Sequence, residues 1–283
     1  MYPSDDLAKE IESYLGFLID HDLDEAYATA PLNRTLSENK SPNPRAAAAS
    51  TQIHVTPVAS APQGAGVNQL KPASLAGLDL ATLLHEARQR ASAARTLDEL
   101  YAELDAFHHM PMRHEGGKSR VRYRGTATPD LLVVGEAPDI EEDSTGVAFS
   151  GKPGALMDAA LNAAGLKDRA LLTPCVFWRP AGGRPLTAED ISLAAPFLQA
   201  MIRLATPKAL LLLGAGAVSG VLNLDQNLRQ LRGRIVNFSP STPAPAATIP
   251  AMASYPPNLL LRQPQAKGLF WRDLLQLVVK AQL

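Results

Sequence analysis

From residue 129 onward, short apolar runs alternate with segments of helical periodicity, and this alternation limits the possible fold more than any other feature. The apolar runs cover residues 131–134, 170–177, 209–213 and 249–254. Helical patterns follow them at residues 155–164, 187–204, 215–222 and 265–280. Short apolar runs bounded by turn residues indicate buried parallel strands, and alternating strands and helices indicate right-handed βαβ units. We therefore predict an α/β fold, a three-layer α/β/α sandwich around a central four-stranded parallel sheet.

Residues 1–29 form a distinct acidic segment. Eight acidic residues and one lysine lie within residues 1–30. Apolar side chains recur between the acids at helical spacing, at Leu7, Ile11, Tyr14, Leu15, Leu18 and Ile19. This pattern predicts an amphipathic helix. Because a helix of this length is only marginally stable alone, we expect it to dock on the rest of the protein or on a partner protein.

Residues 30–75 are rich in proline, alanine and small polar residues, with few large apolar side chains. Such a composition cannot bury enough apolar surface to offset the conformational entropy that folding costs. We predict a disordered linker that tethers the N-terminal helix to a folded domain at residues 76–283. Helical periodicity resumes at the start of that domain, with Thr96 as the predicted cap of a helix.

Composition narrows the class of protein further. Cys175 is the only cysteine among 283 residues, so one chain can form neither an intrachain disulfide nor an all-cysteine metal site. We predict no metal site. No apolar run reaches the ~18 residues of a membrane span, and the N-terminus lacks the basic start of a secretory signal. We therefore expect a cytoplasmic monomer with no membrane partner, associated with the nucleoid if it binds DNA.

Glu136 follows the first predicted strand directly, in the sequence Gly-Glu-Ala-Pro. In open α/β sheets, ligands bind at the carboxyl ends of the parallel strands. Three further acids at residues 141–143 would raise the pKa of a neighbouring carboxyl group, which suits a group that orients a proton or a water molecule. The alternative is a polar strand end whose carboxylate accepts hydrogen bonds from local backbone amides.

Phe149 stands between small residues in the sequence Gly-Val-Ala-Phe-Ser-Gly, which ends at Gly151. Small neighbours leave an aromatic ring accessible, so a flat substrate could stack on it. The alternative, which is the more frequent one for a lone aromatic residue, is a place in the core.

Basic residues lie in several predicted loops of the C-terminal part of the chain, where basic residues outnumber acidic ones. The arginines of interest are Arg179, Arg184, Arg232 and Arg262. Arginines in such loops suit contacts with phosphate groups. Leu260 could act as a wedge in a stack of bases, with Arg262 as a phosphate anchor behind it. The alternatives are solvated arginines and a leucine buried in a plain strand-to-helix connection.

Taken together, these stretches resemble the uracil-DNA glycosylase superfamily, closest to its family-four bacterial members, over about residues 97–280. The family-four patterns G-E-x-P-G, E-D-x-x-G-x-P-F-x-G, R-P-P-x-N-R-x-P and H-P-(S/A)-x-L-L-R correspond to the segments that begin at Gly135, Glu142, Arg179 and Tyr255. The shorter patterns P-K, L-G and R-G correspond to Pro207, Leu213 and Arg232 with the residues that follow them. The order and the spacing of these patterns carry the resemblance, since no one of them is decisive.

The resemblance implies an enzyme of base excision repair that flips a base out of the DNA duplex and hydrolyses its N-glycosidic bond. In such enzymes, the residue at the position of Glu136 orients the hydrolytic water, and the ring at the position of Phe149 stacks on the base. The catalytic candidates are thus Glu136 and Tyr255. The candidates for base binding are Phe149, Ala137, Pro138 and Pro174, and those for DNA binding are Arg179, Arg184, Arg232, Leu260 and Arg262.

The chain departs from the family pattern at three positions, two of which are among these candidates. The asparagine that reads the edge of uracil is replaced by Pro174, which has no side-chain amide. The histidine of the H-P motif, which donates a hydrogen bond to the base, is replaced by Tyr255. A phenol can donate but cannot become an imidazolium, and the loss of one such donor costs about 10²–10³-fold in rate. Asp139 replaces a glycine and adds bulk and charge where the base should enter.

The cysteines of the family-four iron–sulfur cluster are also missing. They correspond to Phe107, Met110, Trp178 and Ala194. We predict that the chain has lost the cluster, holds no cofactor and fills the site with an apolar plug.

Three functions remain open at this point. The first is a divergent DNA glycosylase that excises uracil or another damaged base. The second is a catalytically degenerate module that binds DNA or a repair partner, with the N-terminal helix as a docking arm. The third is a different small-molecule or nucleotide activity in the same crevice.

Overall fold

A computed structural model describes residues 79–223, 228–240 and 248–283. The helix and the linker predicted for residues 1–29 and 30–75 lie outside the described residues. Nearly all of the domain predicted for residues 76–283 lies within them.

The central element is one mixed sheet of six strands. The strands are β1 (Arg124–Gly125), β2 (Leu131–Gly135), β3 (Ala170–Pro174), β4 (Ala209–Leu213), β5 (Ile235–Phe238) and β6 (Ile249–Ser254). Their order across the sheet is β1-β3-β2-β4-β6-β5. Strands β3, β2, β4 and β6 are parallel, which confirms the predicted four-stranded centre, whereas β1 and β5 pair antiparallel at the two edges.

Neither edge strand was included in the predicted sheet, because neither carries the continuous apolar run of a buried parallel strand. Strand β1 has two residues, an arginine and a glycine. Strand β5 is only partly buried along its length. A strand with one neighbour in the sheet keeps one side open, so its sequence carries a weaker hydrophobic signal.

Nine α-helices surround the sheet within the described ranges. They are α1 (Leu80–Ala93), α2 (Leu97–Ala106), α3 (Ile140–Thr145), α4 (Gly151–Ala163), α5 (Ala188–Ala205), α6 (Ala215–Leu222), α7 (Leu228–Leu231), α8 (Pro257–Arg262) and α9 (Lys267–Ala281). None of the helices in this part of the chain is long and apolar enough to cross a membrane. The side chain of Thr96 accepts a hydrogen bond from the amide of Glu99, which confirms the predicted cap of α2.

The sheet separates two hydrophobic cores, which confirms the three-layer arrangement. Leu132 and Val134 of β2 point into one core, together with buried residues of α1, α2, α5 and α6. Leu131 and Val133 point into the other core, together with buried residues of α4, α8 and α9. Alternate residues of a strand face opposite sides of a sheet, so an uninterrupted apolar run is needed when both faces are covered.

Candidate functional site

The carboxyl ends of the four parallel strands meet at one edge of the sheet. Gly135 at the end of β2 pairs with Pro174 at the end of β3. Leu213 at the end of β4 pairs with Ser254 at the end of β6. Because these strand ends are in register, the residues that follow them come together. The structure thus brings Glu136 and Tyr255, the two predicted catalytic residues, to the same edge of the sheet.

The carboxylate of Glu136 is held at the start of helix α6. Its Oε1 atom accepts a hydrogen bond from the backbone amide of Ala215 at 3.1 Å. Gly214, which has a φ of +99°, makes this approach possible, because a Cβ atom at that position would lie 2.3 Å from Oε1. The positive end of the helix dipole stabilises a carboxylate there. Glu136 therefore accepts a hydrogen bond from a backbone amide, as one of the two interpretations of the sequence predicted, and it does so at the edge of the sheet where the parallel strands end.

The pKa of Glu136 is raised above its ordinary value. Desolvation of the carboxyl group by the surrounding protein atoms is the largest cause, although the residue as a whole is exposed to solvent. The backbone amides of Gly216 and Ala215 and the charge of Arg262 act in the opposite direction. A carboxylate that has lost part of its hydration accepts a proton more readily, which is the property expected of a general base.

Phe149 lies in the core, next to the end of β2. It is 7% exposed and packs in the core beneath α4, α8 and α9. Its ring lies against Gly135, where an added Cβ atom would be 2.8 Å from the Cζ atom of the ring. The backbone of Phe149 is in the left-handed region, with a φ of 53°. A phenylalanine rarely adopts this conformation unless the surrounding structure imposes it.

Glu142 is one of the groups that impose the conformation of Phe149. Its side chain accepts hydrogen bonds from the backbone amides of Phe149 and Asp139, at 2.5 Å and 2.9 Å. Burial raises the pKa of Glu142. In the sequence, Glu142 stands only as one of several neighbouring acids. The structure shows that it connects the backbone at Phe149 to the backbone at Asp139.

Asp139 does not project into the crevice as a free acid. Its side chain caps helix α3 and accepts hydrogen bonds from the amides of Glu141 and Glu142 at 2.9 Å and 3.0 Å. The glycine that the family pattern has at this position is therefore replaced by a residue with a local structural role. Of the predicted base-binding residues beside it, Pro138 is buried and Ala137 is partly buried.

Pro174 is buried at the end of β3, and the preceding Thr173 is buried with it. The residue that follows, Cys175, is 2% exposed and donates its backbone amide to the carbonyl oxygen of Gly135 at 3.0 Å. Burial, followed by the charge of Glu136, raises the pKa of the Cys175 thiol. The thiol therefore stays protonated at neutral pH and is a poor nucleophile.

The ring of Tyr255 lies against a hydrogen-bonded network of Arg232, Asp273 and Ser254. The guanidinium of Arg232 lies 5.3 Å from the centre of the Tyr255 ring. The same guanidinium donates to Asp273, which also accepts a hydrogen bond from the hydroxyl of Ser254 at 2.6 Å. Asp273 is 1% exposed, and burial raises its pKa while Ser254 and Arg232 oppose that shift. Arg232, predicted to contact phosphate, is thus committed to an internal ion pair.

Arg184 is likewise committed within the protein. Its guanidinium donates to Glu115 at 2.5 Å and to Asp190 at 2.6 Å. These two carboxylates raise the pKa of the arginine. A guanidinium shared by two carboxylates has no unpaired charge left for a phosphate group.

Two of the predicted DNA-contacting arginines are more available. Arg179 forms no ion pair with any residue in the described ranges. Arg262 is exposed, donates to the carbonyl oxygen of Asn258 in its own helix at 3.2 Å, and is close enough to Glu136 to lower the pKa of its carboxyl group. The prediction of a wedge at Leu260 is wrong, because this side chain is fully buried in the core. Leu261 is the exposed leucine of the helix, at 40%.

The four positions that correspond to cluster cysteines form part of a packed core. Phe107, Met110, Trp178 and Ala194 are all buried in the core on the side of α1, α2, α5 and α6. The rings of Phe107 and Phe197 lie 5.6 Å apart. Iron–sulfur clusters are held by thiolates, so these side chains do not fit such a cluster. Within the described ranges, no group of three or more metal-binding side chains comes together.

Sequence comparisons agree with this architecture. The model of the uracil DNA glycosylase superfamily matches residues 123–275, which is more than half of the chain. A type-4 uracil-DNA glycosylase of Pyrobaculum aerophilum is 26% identical over 162 residues, covering 57% of this chain and 83% of the relative. The type-4 enzyme of Archaeoglobus fulgidus is 23% identical over 183 residues, which cover 63% of this chain and 89% of the relative. The type-4 enzyme of Thermotoga maritima is 33% identical over 96 residues, which cover 34% of this chain and 50% of the relative. With these motifs on this sheet, the chain belongs to the uracil-DNA glycosylase superfamily.

Proposed function

We propose that this protein excises a damaged base from DNA by hydrolysing its N-glycosidic bond, with Glu136 as the group that activates water. The observation that carries the proposal is the environment of Glu136. Its carboxylate is partly desolvated, fixed by the amide of Ala215, and opens onto the edge of the sheet. A fixed carboxylate with a raised pKa can orient a water molecule and take its proton as the bond to the base breaks.

Tyr255 fits the role of hydrogen-bond donor to the departing base. Its hydroxyl forms no hydrogen bond with any residue that the structure describes, so it can donate to a ligand. The guanidinium of Arg232 over its ring fixes the ring in place. Negative charge develops on the base as it leaves, and a positioned donor stabilises that charge.

Base preference is broader in this proposal than in an enzyme that reads uracil with an amide. Pro174 offers no side-chain donor or acceptor at the end of β3. The N–H group and the carbonyl oxygen on the edge of uracil therefore have no matching partner there. Sites that hydrogen-bond a substrate group discriminate most strongly against substrates that lack it. Other deaminated bases are therefore expected among the substrates.

DNA contacts are assigned to the groups that remain available at this edge. Arg179 and Arg262 suit contacts to phosphate groups, since no carboxylate among the described residues forms an ion pair with either side chain. Leu261 replaces Leu260 as the candidate wedge, because it is exposed. The groups that carry the activity all come from one chain, so the protein is proposed to act on DNA as a monomer in the cytoplasm. The loss of the iron–sulfur cluster is proposed from the four cluster positions, which carry no thiolate.

The test is release of free base from duplex and single-stranded oligonucleotides that carry one uracil or one other deaminated base. We expect release by the unaltered protein and a drop of about 10²–10⁴-fold in the Glu136→Gln variant. Glu189→Gln, which removes an exposed carboxylate in the first turn of α5, is the matched control and should leave the rate unchanged. Failure to release a base from every substrate would reject the enzymatic proposal.

A second candidate function is DNA or partner binding without catalysis. The observation that favours it is the pair of replacements at Pro174 and Tyr255, which remove the family's base-reading amide and its histidine. In that case, binding to duplex DNA would weaken steeply with added salt, because phosphate contacts release counterions. Binding would also be indifferent to Glu136→Gln, and no base would be released. Release that depends on Glu136 distinguishes the first function from the second.

A further inference from the structure

A concave surface lies away from the candidate site, on the layer that contains α1, α5 and α6. It is a groove of about 880 Å³ between α1, α5, the C-terminal half of α6 and the edge strand β5. Its apolar lining includes Leu84, Ile191, Pro196, Val221, Val236 and Phe238. Glu136 contacts the opposite end of α6, at Ala215. The groove and the candidate active site are therefore separate surfaces joined by one short helix.

The charged groups of this groove are all basic. Arg88 and Arg203 line it, and no acidic residue is found among its lining residues in the described ranges. Arg88 is exposed and forms no ion pair with the described chain. Arg203 donates to the carbonyl oxygens of Ala94 and Ala91, at 3.0 Å and 3.4 Å, and these do not neutralise its charge. An apolar floor with two uncompensated cations fits an occupant that combines apolar and acidic side chains.

The chain itself carries such a segment. Residues 5–20 place apolar side chains at helical spacing between acidic ones, and Lys9 is their only basic residue. This segment lies about 60 residues before α1, whose residues Leu84 and Arg88 line the groove. A flexible chain of that length has an end-to-end distance of about 40 Å, which sets an effective concentration in the millimolar range. Even a weak contact would then be occupied within one molecule.

We propose that residues 5–20 dock in this groove as an amphipathic helix. The apolar stripe from Leu7 to Ile19 lies on the floor of the groove, and the acidic residues face Arg88 and Arg203. The groove thus serves as an internal docking site for the N-terminal segment. Docking uses neither Glu136 nor the crevice, so the proposal stands or falls independently of the enzymatic function.

Cross-linking within the full-length chain tests this arrangement. The variant Ala8→Cys/Ala195→Cys places one thiol beside the predicted apolar stripe and one in the groove. Cys175 does not interfere, because it is 2% exposed and its thiol has a raised pKa. We expect an intramolecular disulfide under mild oxidation. It should form about tenfold faster than in Ala8→Cys/Ala155→Cys, in which the second thiol lies on α4, across the sheet.

Charge reversal then tests the electrostatic part. Adding Arg88→Glu should slow disulfide formation about tenfold, and Glu12→Arg in the same chain should restore it. Arg234→Glu, at an exposed arginine outside the groove, should have no effect. Thermal unfolding of each variant verifies that the fold is intact. Equal rates at Ala195 and Ala155, or a disulfide found only between two chains, would overturn the proposal. Base release, measured in parallel, should not change.

Discussion

Arg232 and Asp273 form an ion pair beneath the candidate site, with Nη1 of Arg232 2.9 Å from Oδ1 and 3.0 Å from Oδ2 of Asp273. The two residues are 41 positions apart in the chain. Gly233 allows the close approach, because an added Cβ atom there would lie 3.2 Å from Oδ1 of Asp273. The pair supports the ring of Tyr255, so a residue that resembled a DNA contact is a positioning residue for the site.

Breaking this pair should destabilise the fold. Arg232→Met leaves the buried carboxylate of Asp273 without its cation, and we expect a loss of about 3 kcal/mol, the low end for a broken buried pair because Arg232 is partly exposed. Urea unfolding measures the loss. Arg169→Met, which removes one of the two cations paired with the partly exposed Asp130 and leaves Lys208 in place, is the control and should cost less than about 1 kcal/mol. Equal losses in the two variants would show that Asp273 needs no partner.

Gly214→Ala should displace the carboxylate of Glu136, because the new Cβ atom would lie 2.3 Å from Oε1. We expect base release to fall by at least about tenfold and stability to fall by about 1–2 kcal/mol from backbone strain. Gly165→Ala is the control. Gly165 also has a positive φ, of +70°, but nothing lies within 4 Å of its added Cβ atom. It should lose stability but keep its activity, and a similar loss of activity in both variants would contradict the role of Gly214.

The pH dependence of base release should follow the raised pKa of Glu136. Water activation needs the ionised carboxylate, so the rate falls on acidification, and the fall begins at a higher pH than for an unperturbed glutamate. Arg262 favours the ionised form. Arg262→Gln should therefore raise the pKa of Glu136 further. The acidic limb of the pH–rate profile, where the rate falls on acidification, should then move to higher pH.

Single-turnover rates at saturating protein concentration measure this limb without a contribution from weaker DNA binding. Arg234→Gln removes an exposed arginine elsewhere and should leave the limb in place. An acidic limb that stays in place or moves to lower pH in Arg262→Gln would contradict the assignment of Glu136.

Restoring the family residues should restore discrimination for uracil. We expect Pro174→Asn combined with Tyr255→His to raise uracil release by about 10²-fold or more, since each adds a polar group that the base can use. The buried amide at position 174 should cost about 1–3 kcal/mol in the absence of a base. Release rates for uracil and for a second deaminated base, compared between the variant and the unaltered protein, measure the change. An unchanged ratio of the two rates would contradict the proposed role of Pro174.

The packed side chains at the four cluster positions predict a protein without iron. Iron and acid-labile sulfide, measured on protein purified without oxygen, should each be far below one atom per chain. Met110→Ala should destabilise the fold by about 2–5 kcal/mol, because it empties a fully buried site. A stoichiometric content of iron would overturn the proposed loss of the cluster.

Much of the architecture was predictable because its signals are local. The four central strands are buried on both faces, so each is a continuous apolar run. The position of Glu136 follows from the end of such a run, and Thr96 carries the signature of a helix cap. The edge strands β1 and β5 were missed, because a strand with only one neighbour in the sheet does not need a continuous apolar run.

The sequence by itself determined the layers of the fold, the place of Glu136 and the absence of an amide at Pro174, since each depends on residue type and short-range pattern. Only the tertiary structure decided which polar groups are free. Arg184 and Glu115 are 69 positions apart, and no local pattern reveals their pairing. The same holds for the burial of Leu260 beside the exposed Leu261 and for the space that Gly214 leaves for the carboxylate of Glu136. A charge or an apolar side chain acquires its role from distant neighbours, and only folding brings those neighbours together.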